Sequence, residues 1–127
     1  MSSEAATQGV RVSVEASYLE AQSKAHGQHV FTYEVTIVNV GSVAVQLLSR
    51  HWIIVDGDEA EQHVEGPGVV GEQPRLGVGD RFTYQSFCPL HHREGSMRGS
   101  YEMKRDDGST FDAEVALFAL SVPRLLN

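Results

Sequence analysis

A chain of 127 residues is the size of one domain, and its 41% hydrophobic and 21% charged residues are ordinary for a globular fold. A formal net charge of −7, from 17 acidic against 10 basic side chains, opposes a phosphate backbone, and the basic residues form no stripe, so nucleic acid is not an expected partner. No apolar run approaches the ~20 residues a membrane-spanning helix needs, so no membrane partner is expected either.

Residues 1–9, beginning Met1-Ser2-Ser3-Glu4, have neither a basic start nor an apolar stretch and read as a flexible tail rather than a secretory signal. From Val10 onward a single domain is expected to the end of the chain. Val10, Val12, Val14 and Ala16 alternate with polar residues, the pattern of a half-buried strand. The next strand spans Gln28 to Val40, with Phe31, Tyr33, Val35 and Ile37 on one face. Val43 to Leu48 and His51 to Val55 follow as two strands around a bend, closed by the Asp56-Gly57-Asp58 turn.

Beyond the middle of the chain, Arg81 to Phe87 and Gly99 to Lys104 alternate in the same way, and a last strand covers Thr110 to Leu120. The Asp107-Gly108 step predicts a tight hairpin in which both central residues take left-handed backbone. Short strands without any long helical period imply an all-β fold, two antiparallel sheets packed as a sandwich. Trp52, Phe31, Tyr33, Phe82 and Phe118 are the natural core between the layers.

Gly66-Pro67-Gly68-Val69-Val70-Gly71 matches the Gly-x-Gly-x-x-Gly string that holds dinucleotide pyrophosphates. That chemistry normally uses the N-terminus of a following helix. Pro74, Gly77 and Gly79 forbid one here, and six carboxylates between positions 56 and 72 would repel phosphate. The string therefore reads first as a compact loop pinned by Val69 and Val70. If it binds an anion, Gly66, Gly68, Val69, Val70 and Gly71 supply backbone N–H groups and Arg75 or Arg50 the charge.

Six histidines have no complete metal-ligand spacing, and no metal or cofactor is expected, although a folded sheet could gather His51 and His63 with the acidic segment. The single cysteine, Cys88, closes no intrachain disulfide, which fits a reducing compartment, and the cytoplasm is expected. No base is placed beside Cys88 and no Ser-His-Asp set can be argued, so no enzyme is expected.

Val45-Gln46-Leu47-Leu48-Ser49-Arg50-His51-Trp52, then Gly66 through Pro74, then Gly95-Ser96-Met97-Arg98-Gly99-Ser100-Tyr101-Glu102-Met103 together resemble the bacterial ApaG family. The likeness runs from about Val10 to Val122-Pro123 and takes in Tyr18-Leu19-Glu20-Ala21-Gln22-Ser23. It implies an immunoglobulin or fibronectin type III-like sandwich. Related domains in eukaryotic F-box proteins and in a polymerase delta-interacting protein imply a protein-interaction unit. Bacterial members are linked by phenotype to cobalt resistance and magnesium efflux, and a pyrophosphate role has been suspected for the glycine motif.

Two stretches depart from the family pattern. Cys88-Pro89-Leu90-His91-His92-Arg93-Glu94 stands where a Thr-Pro turn is usual, and Val115-Ala116-Leu117-Phe118 replaces Ile-Pro-x-Phe, which would let Ala116 donate a sheet hydrogen bond. The expected function is a non-enzymatic interaction module whose exposed sheet edge or glycine loop docks an unidentified protein partner. A nucleotide pyrophosphate held at Gly66–Gly71 is the alternative, and divalent-cation sensing through His63 and Glu61 a third reading. Leu125 and Leu126 leave a weak homo-oligomer open.

Overall fold

The alternation of apolar and polar side chains builds nine strands and one short helix in the computed structural model, which describes residues 1–124. In chain order these are β1 (Ser2–Thr7), β2 (Val10–Tyr18), α1 (Glu20–His26), β3 (His29–Asn39), β4 (Val45–Asp56), β5 (Gln62–Pro67), β6 (Arg75–Leu76), β7 (Arg81–Leu90), β8 (Glu94–Arg105) and β9 (Thr110–Ser121). Two antiparallel sheets result, β1-β2-β3-β7 and β5-β4-β8-β9, with β6 paired to β4. Naming β2, β3 and β7 as strands A, B and E, and β5, β4, β8 and β9 as C′, C, F and G, gives the layer order of an immunoglobulin or fibronectin type III-like sandwich.

The inward residues of both layers form one core, in which Phe31, Tyr33, Trp52, Tyr101 and Phe118 are all buried and Phe82 is half-buried. Leu125 and Leu126 lie outside the described residues. Among the described residues no helix is long and apolar enough to cross a membrane.

The expected N-terminal tail is instead a strand. Ser2–Thr7 pairs with Val10–Glu15 through a tight turn at Gln8-Gly9, whose φ angles of 46° and 85° are those of a two-residue hairpin. Ser3 Oγ donates to the Ala116 carbonyl at 2.7 Å, Glu114 N donates to Thr7 Oγ1 at 3.1 Å, and Arg105 Nη2 donates to Gln8 Oε1 at 2.7 Å. Its side chains are small and polar, so hydropathy reads a tail where backbone pairing and hydroxyl bonds make a strand.

Three further expectations change. Val45–Asp56 is one continuous strand, bent by a bulge at Leu48 and not broken into two. The Asp107-Gly108 hairpin has a three-residue loop, closed by Gly108 N to Arg105 O at 3.0 Å and Arg105 N to Ser109 O at 2.9 Å. Only Gly108 there is left-handed, at φ 90°. The seven-residue helix α1 is too short to show a period. It is tied to β3 by Ser23, whose Oγ donates to the Leu19 carbonyl and accepts Val30 N at 2.8 Å.

Deleting residues 1–8 tests whether β1 is part of the fold. The deletion is expected to destabilise by about 1–3 kcal/mol through lost pairing and buried groups left unpartnered. An unchanged urea midpoint would refute that role.

Candidate functional site

The bulge that bends β4 also builds the glycine loop. Leu48 is the extra residue, skipped by the β8 ladder, so its carbonyl is left to accept Gly68 N at 2.8 Å and Gln73 Nε2 at 2.8 Å. Beyond Gly68 the chain reverses through Val70-Gly71, with φ values of 42° and 80°, between reciprocal Val69–Glu72 hydrogen bonds of 2.8 and 2.9 Å. Both central residues are left-handed, which is the geometry of a type I′ turn, and no helix follows. Val69 is fully buried and anchors the loop, whereas Val70 is 60% exposed and holds a backbone conformation that a β-branched residue rarely adopts.

Arg50, not Arg75, is the arginine of this loop. Its Nη1 donates to the carbonyls of Pro67 at 3.0 Å and Gly68 at 2.9 Å, and its guanidinium lies over Gly66. Arg75 points away and pairs with Asp106 at 2.7 Å. Pro67 has no N–H, and the Gly68 and Val69 amides donate to Leu48 and Glu72. The residues expected to form an anion nest thus share one loop, but two of its amides are bonded within the protein and its nearest cation is bonded to carbonyls.

Behind Arg50 lies a buried phenol cluster. The Tyr84 and Tyr101 hydroxyls bond to each other, and Tyr33 packs edge-on to Trp52 with ring centroids 5.4 Å apart. Burial pushes the pKa of all three phenols up, so they are neutral hydrogen-bonding groups at physiological pH.

Histidines gather at two places. On the outer face of the β5-β4-β8-β9 sheet, His51 Nε2 and His63 Nδ1 are 2.8 Å apart, with Glu65 3.7 Å from His51 and Glu61 3.6 Å from His63. The sequence placed His51 and His63 with the acidic segment and named Glu61; the structure adds Glu65 beside His51. Arg98 Nη2, 2.7 Å from Glu61, holds that carboxyl below its usual range. The second gathering, between the β4–β5 and β7–β8 turns, escaped the sequence reading: Asp56 and Glu59 meet His91 and His92, which are 35 and 36 residues beyond Asp56.

Among the described residues no strand closes the side of the sandwich bounded by β5 and β7. Phe87, 61% exposed, stands between a cleft of about 250 Å³ reaching Tyr33, Trp52 and Val64 and a shallow groove of about 460 Å³ lined by Gln22, His26, Val30 and Pro89. Cys88 lies buried beside it, and burial pushes its thiol up to about 11.

A layered β-sandwich with one sealed and one open side belongs to the class of immunoglobulin-like modules. A solved structure of the C-terminal domain of wzt, 11% identical, shares the fold alone, at a TM-score of 0.55 over 97% of this chain and 78% of that one. The family model of the ApaG domain (DUF525) matches residues 19–105. Proteins named ApaG from Anaeromyxobacter dehalogenans strain 2CP-C and Thiobacillus denitrificans are each 49% identical, over 98% and 93% of this chain and 99% and 94% of theirs. A Bordetella pertussis crystal structure, solved under the name ApaA, superposes at a TM-score of 0.85 with 46% identity, covering 91% of this chain and 94% of that one. The chain belongs to the ApaG family.

Two predictions follow from this geometry. In Gly68→Ala the new Cβ would lie 2.3 Å from the Glu72 carbonyl oxygen, whereas Gly71 has open space around it. Gly68→Ala is expected to cost about 3 kcal/mol and Gly71→Ala about 1 kcal/mol, read from denaturant midpoints; equal costs would contradict the described loop. Because its thiol sits near 11 instead of 9, Cys88 holds about a hundredfold less thiolate at pH 8 than an ordinary thiol. Native protein is expected to resist disulfide reagents until it is unfolded, and rapid native labelling at pH 8 would contradict this.

Proposed function

We propose that this chain is a non-enzymatic protein-interaction module whose β7 edge takes up an extended segment of a protein partner. The observation that carries this reading is β7 itself: ten residues paired, among the described residues, on one side only, to β3, with Phe87 exposed on its outer face. An unpaired edge offers a row of backbone donors and acceptors, and a groove beside it supplies side-chain selectivity. The groove between Phe87, Pro89 and α1 suits one apolar side chain of the incoming strand, and the remaining energy would come from main-chain bonds.

The other edge of this sheet is occupied. β1 lies against β9 and is bonded to it through the Ser3 and Thr7 hydroxyls, so that edge is covered by the other layer. Family resemblance supports searching for the partner among components of divalent-cation homeostasis, and a single buried cysteine supports a reducing compartment such as the cytoplasm.

Affinity capture from cell extract with Phe87→Glu and Val70→Asn tests the proposal. Phe87 is exposed, so its substitution is expected to change stability by no more than about 0.5 kcal/mol while weakening partner binding at least about tenfold. Val70→Asn, at the tip of the glycine loop, is expected to leave binding intact. Undiminished recovery with Phe87→Glu would refute the β7 assignment, and loss with Val70→Asn alone would move the interface to the loop.

A further inference from the structure

We propose that the β4–β5 and β7–β8 turns together form a binding site for one first-row divalent transition-metal ion, coordinated by Asp56, Glu59, His91 and His92. Ligand atoms of Asp56, Glu59 and His91 all lie within 4.8 Å of one another. His91 Nδ1 is 3.1 Å from Glu59 Oε2 and 3.4 Å from Asp56 Oδ2. His92 Nδ1 is 3.2 Å from the same Glu59 Oε2 and 3.1 Å from Asp56 Oδ1.

These separations match those of ligands around a metal. Two donors bound tetrahedrally at about 2.0–2.1 Å stand about 3.4 Å apart, and cis donors in an octahedron about 3.0 Å apart. All four nitrogen–oxygen distances fall between these limits; Asp56, Glu59 and His91 are the set that an ion could bridge with little movement, and His92, which faces the other Asp56 oxygen, would complete it after a shift of its ring. Two carboxylates bring two negative charges, which a divalent ion balances when both imidazoles are neutral.

The surroundings hold the ligands in place. Asp56 is fixed by the backbone amides of His91 and His92, which donate to Oδ2 at 2.8 Å and Oδ1 at 3.0 Å, leaving a further lone pair on each oxygen. The His92 ring packs against Gly57, where a Cβ would approach its Cγ to 2.4 Å. Coordination through Nδ1 leaves Nε2–H of His92 directed at Asp58 Oδ1, 3.5 Å away, an outer carboxylate of the kind that orients metal-bound histidine. Two nitrogen and two oxygen donors favour zinc, cobalt, nickel or copper over magnesium and calcium, which take oxygen donors.

This site is separate from the β7 edge reading, since no step of its argument uses Phe87 or a partner. The test is titration of the metal-stripped full chain with cobalt(II), followed by visible d–d absorption, and with zinc(II), followed by calorimetry. One saturable site is expected, insensitive to excess magnesium. Glu59→Gln and His91→Gln, both on exposed turns, are expected to weaken it at least about tenfold while leaving the melting curve of the apoprotein unchanged. His51→Gln and His63→Gln are expected to bind as the parent does. Three results would overturn the proposal: no saturable uptake up to about 0.1 mM metal, unchanged affinity in Glu59→Gln and His91→Gln, or loss of binding only in the His51 and His63 variants.

Discussion

Trp52 projects from β4 into the space between the layers and meets Tyr33 of β3, Tyr101 of β8 and Phe118 of β9, at ring-centroid distances of 5.4, 6.1 and 6.0 Å. One side chain therefore touches strands of both sheets. In antibody domains a disulfide joins the strands equivalent to β3 and β8 and packs against a tryptophan. This chain has one cysteine, on β7, and the aromatic cluster carries that role through burial plus about 0.5–1.5 kcal/mol per well-oriented ring pair. The cluster also sets the register around it. Gly99 sits opposite Trp52, where an added Cβ would lie 2.0 Å from the His51 carbonyl oxygen, so only glycine allows β4 and β8 to close there.

Each sheet irregularity near this cluster has a structural use. Opposite Arg98, β9 carries an extra residue, so Val115 and Phe118, three apart, both face the core. Ala116 falls in that bulge and has no partner on β8; its carbonyl instead accepts the Ser3 hydroxyl that ties down β1. The register shift leaves Ala116 without an opposed residue on β8, and a bulge is a position where the proline implied by the family pattern is tolerated. On β4, the bulge at Leu48 turns a carbonyl out of the ladder to hold Gly68 and Gln73. The glycine string thus follows from closing a loop over a bulge, with Arg50 bridging its carbonyls, and resembles a phosphate motif because close backbone packing needs glycine in both settings.

What the sequence disclosed, and what it hid, follows from the range of the forces involved. Alternation along β2, β3 and β9 reports burial of one face, a local signal that survives without knowledge of the partner strand. The absence of a helix after Gly71 was equally legible, since Pro74, Gly77 and Gly79 act locally. β1 was not, because Ser2–Thr7 has little apolar surface and depends on hydrogen bonds to β9 more than a hundred residues away. The pairing of Asp56 and Glu59 with His91 and His92 was hidden for the same reason: it requires that β4 and β7 end at the same corner of the sandwich. His51 and His63 were easier, because both precede or follow a single short turn and share one face of adjacent strands.

The two sides of the sandwich are closed by different means. On the β1 and β9 side, hydroxyl and amide bonds from Ser3, Thr7 and Gln8 cross between the layers and occupy the edges. On the β7 and β5 side no strand plays that part among the described residues, and the cleft between the edges reaches as far in as Trp52. An edge left open is an aggregation hazard unless something limits pairing, and β7 carries such limits in the charge of Arg81 and in Pro89, which lacks an N–H. Between those two residues lie Thr83, Gln85 and Phe87 on the outer face, short enough to discourage indiscriminate sheet extension. The Asp56 turn sits at the Leu90 end of the same strand, and its carboxylate on the His91 and His92 amides fixes how β7 leaves the sheet. Asp56 thus links the β4–β5 turn to the termination of the very edge that has no partner strand among the described residues, through two backbone hydrogen bonds.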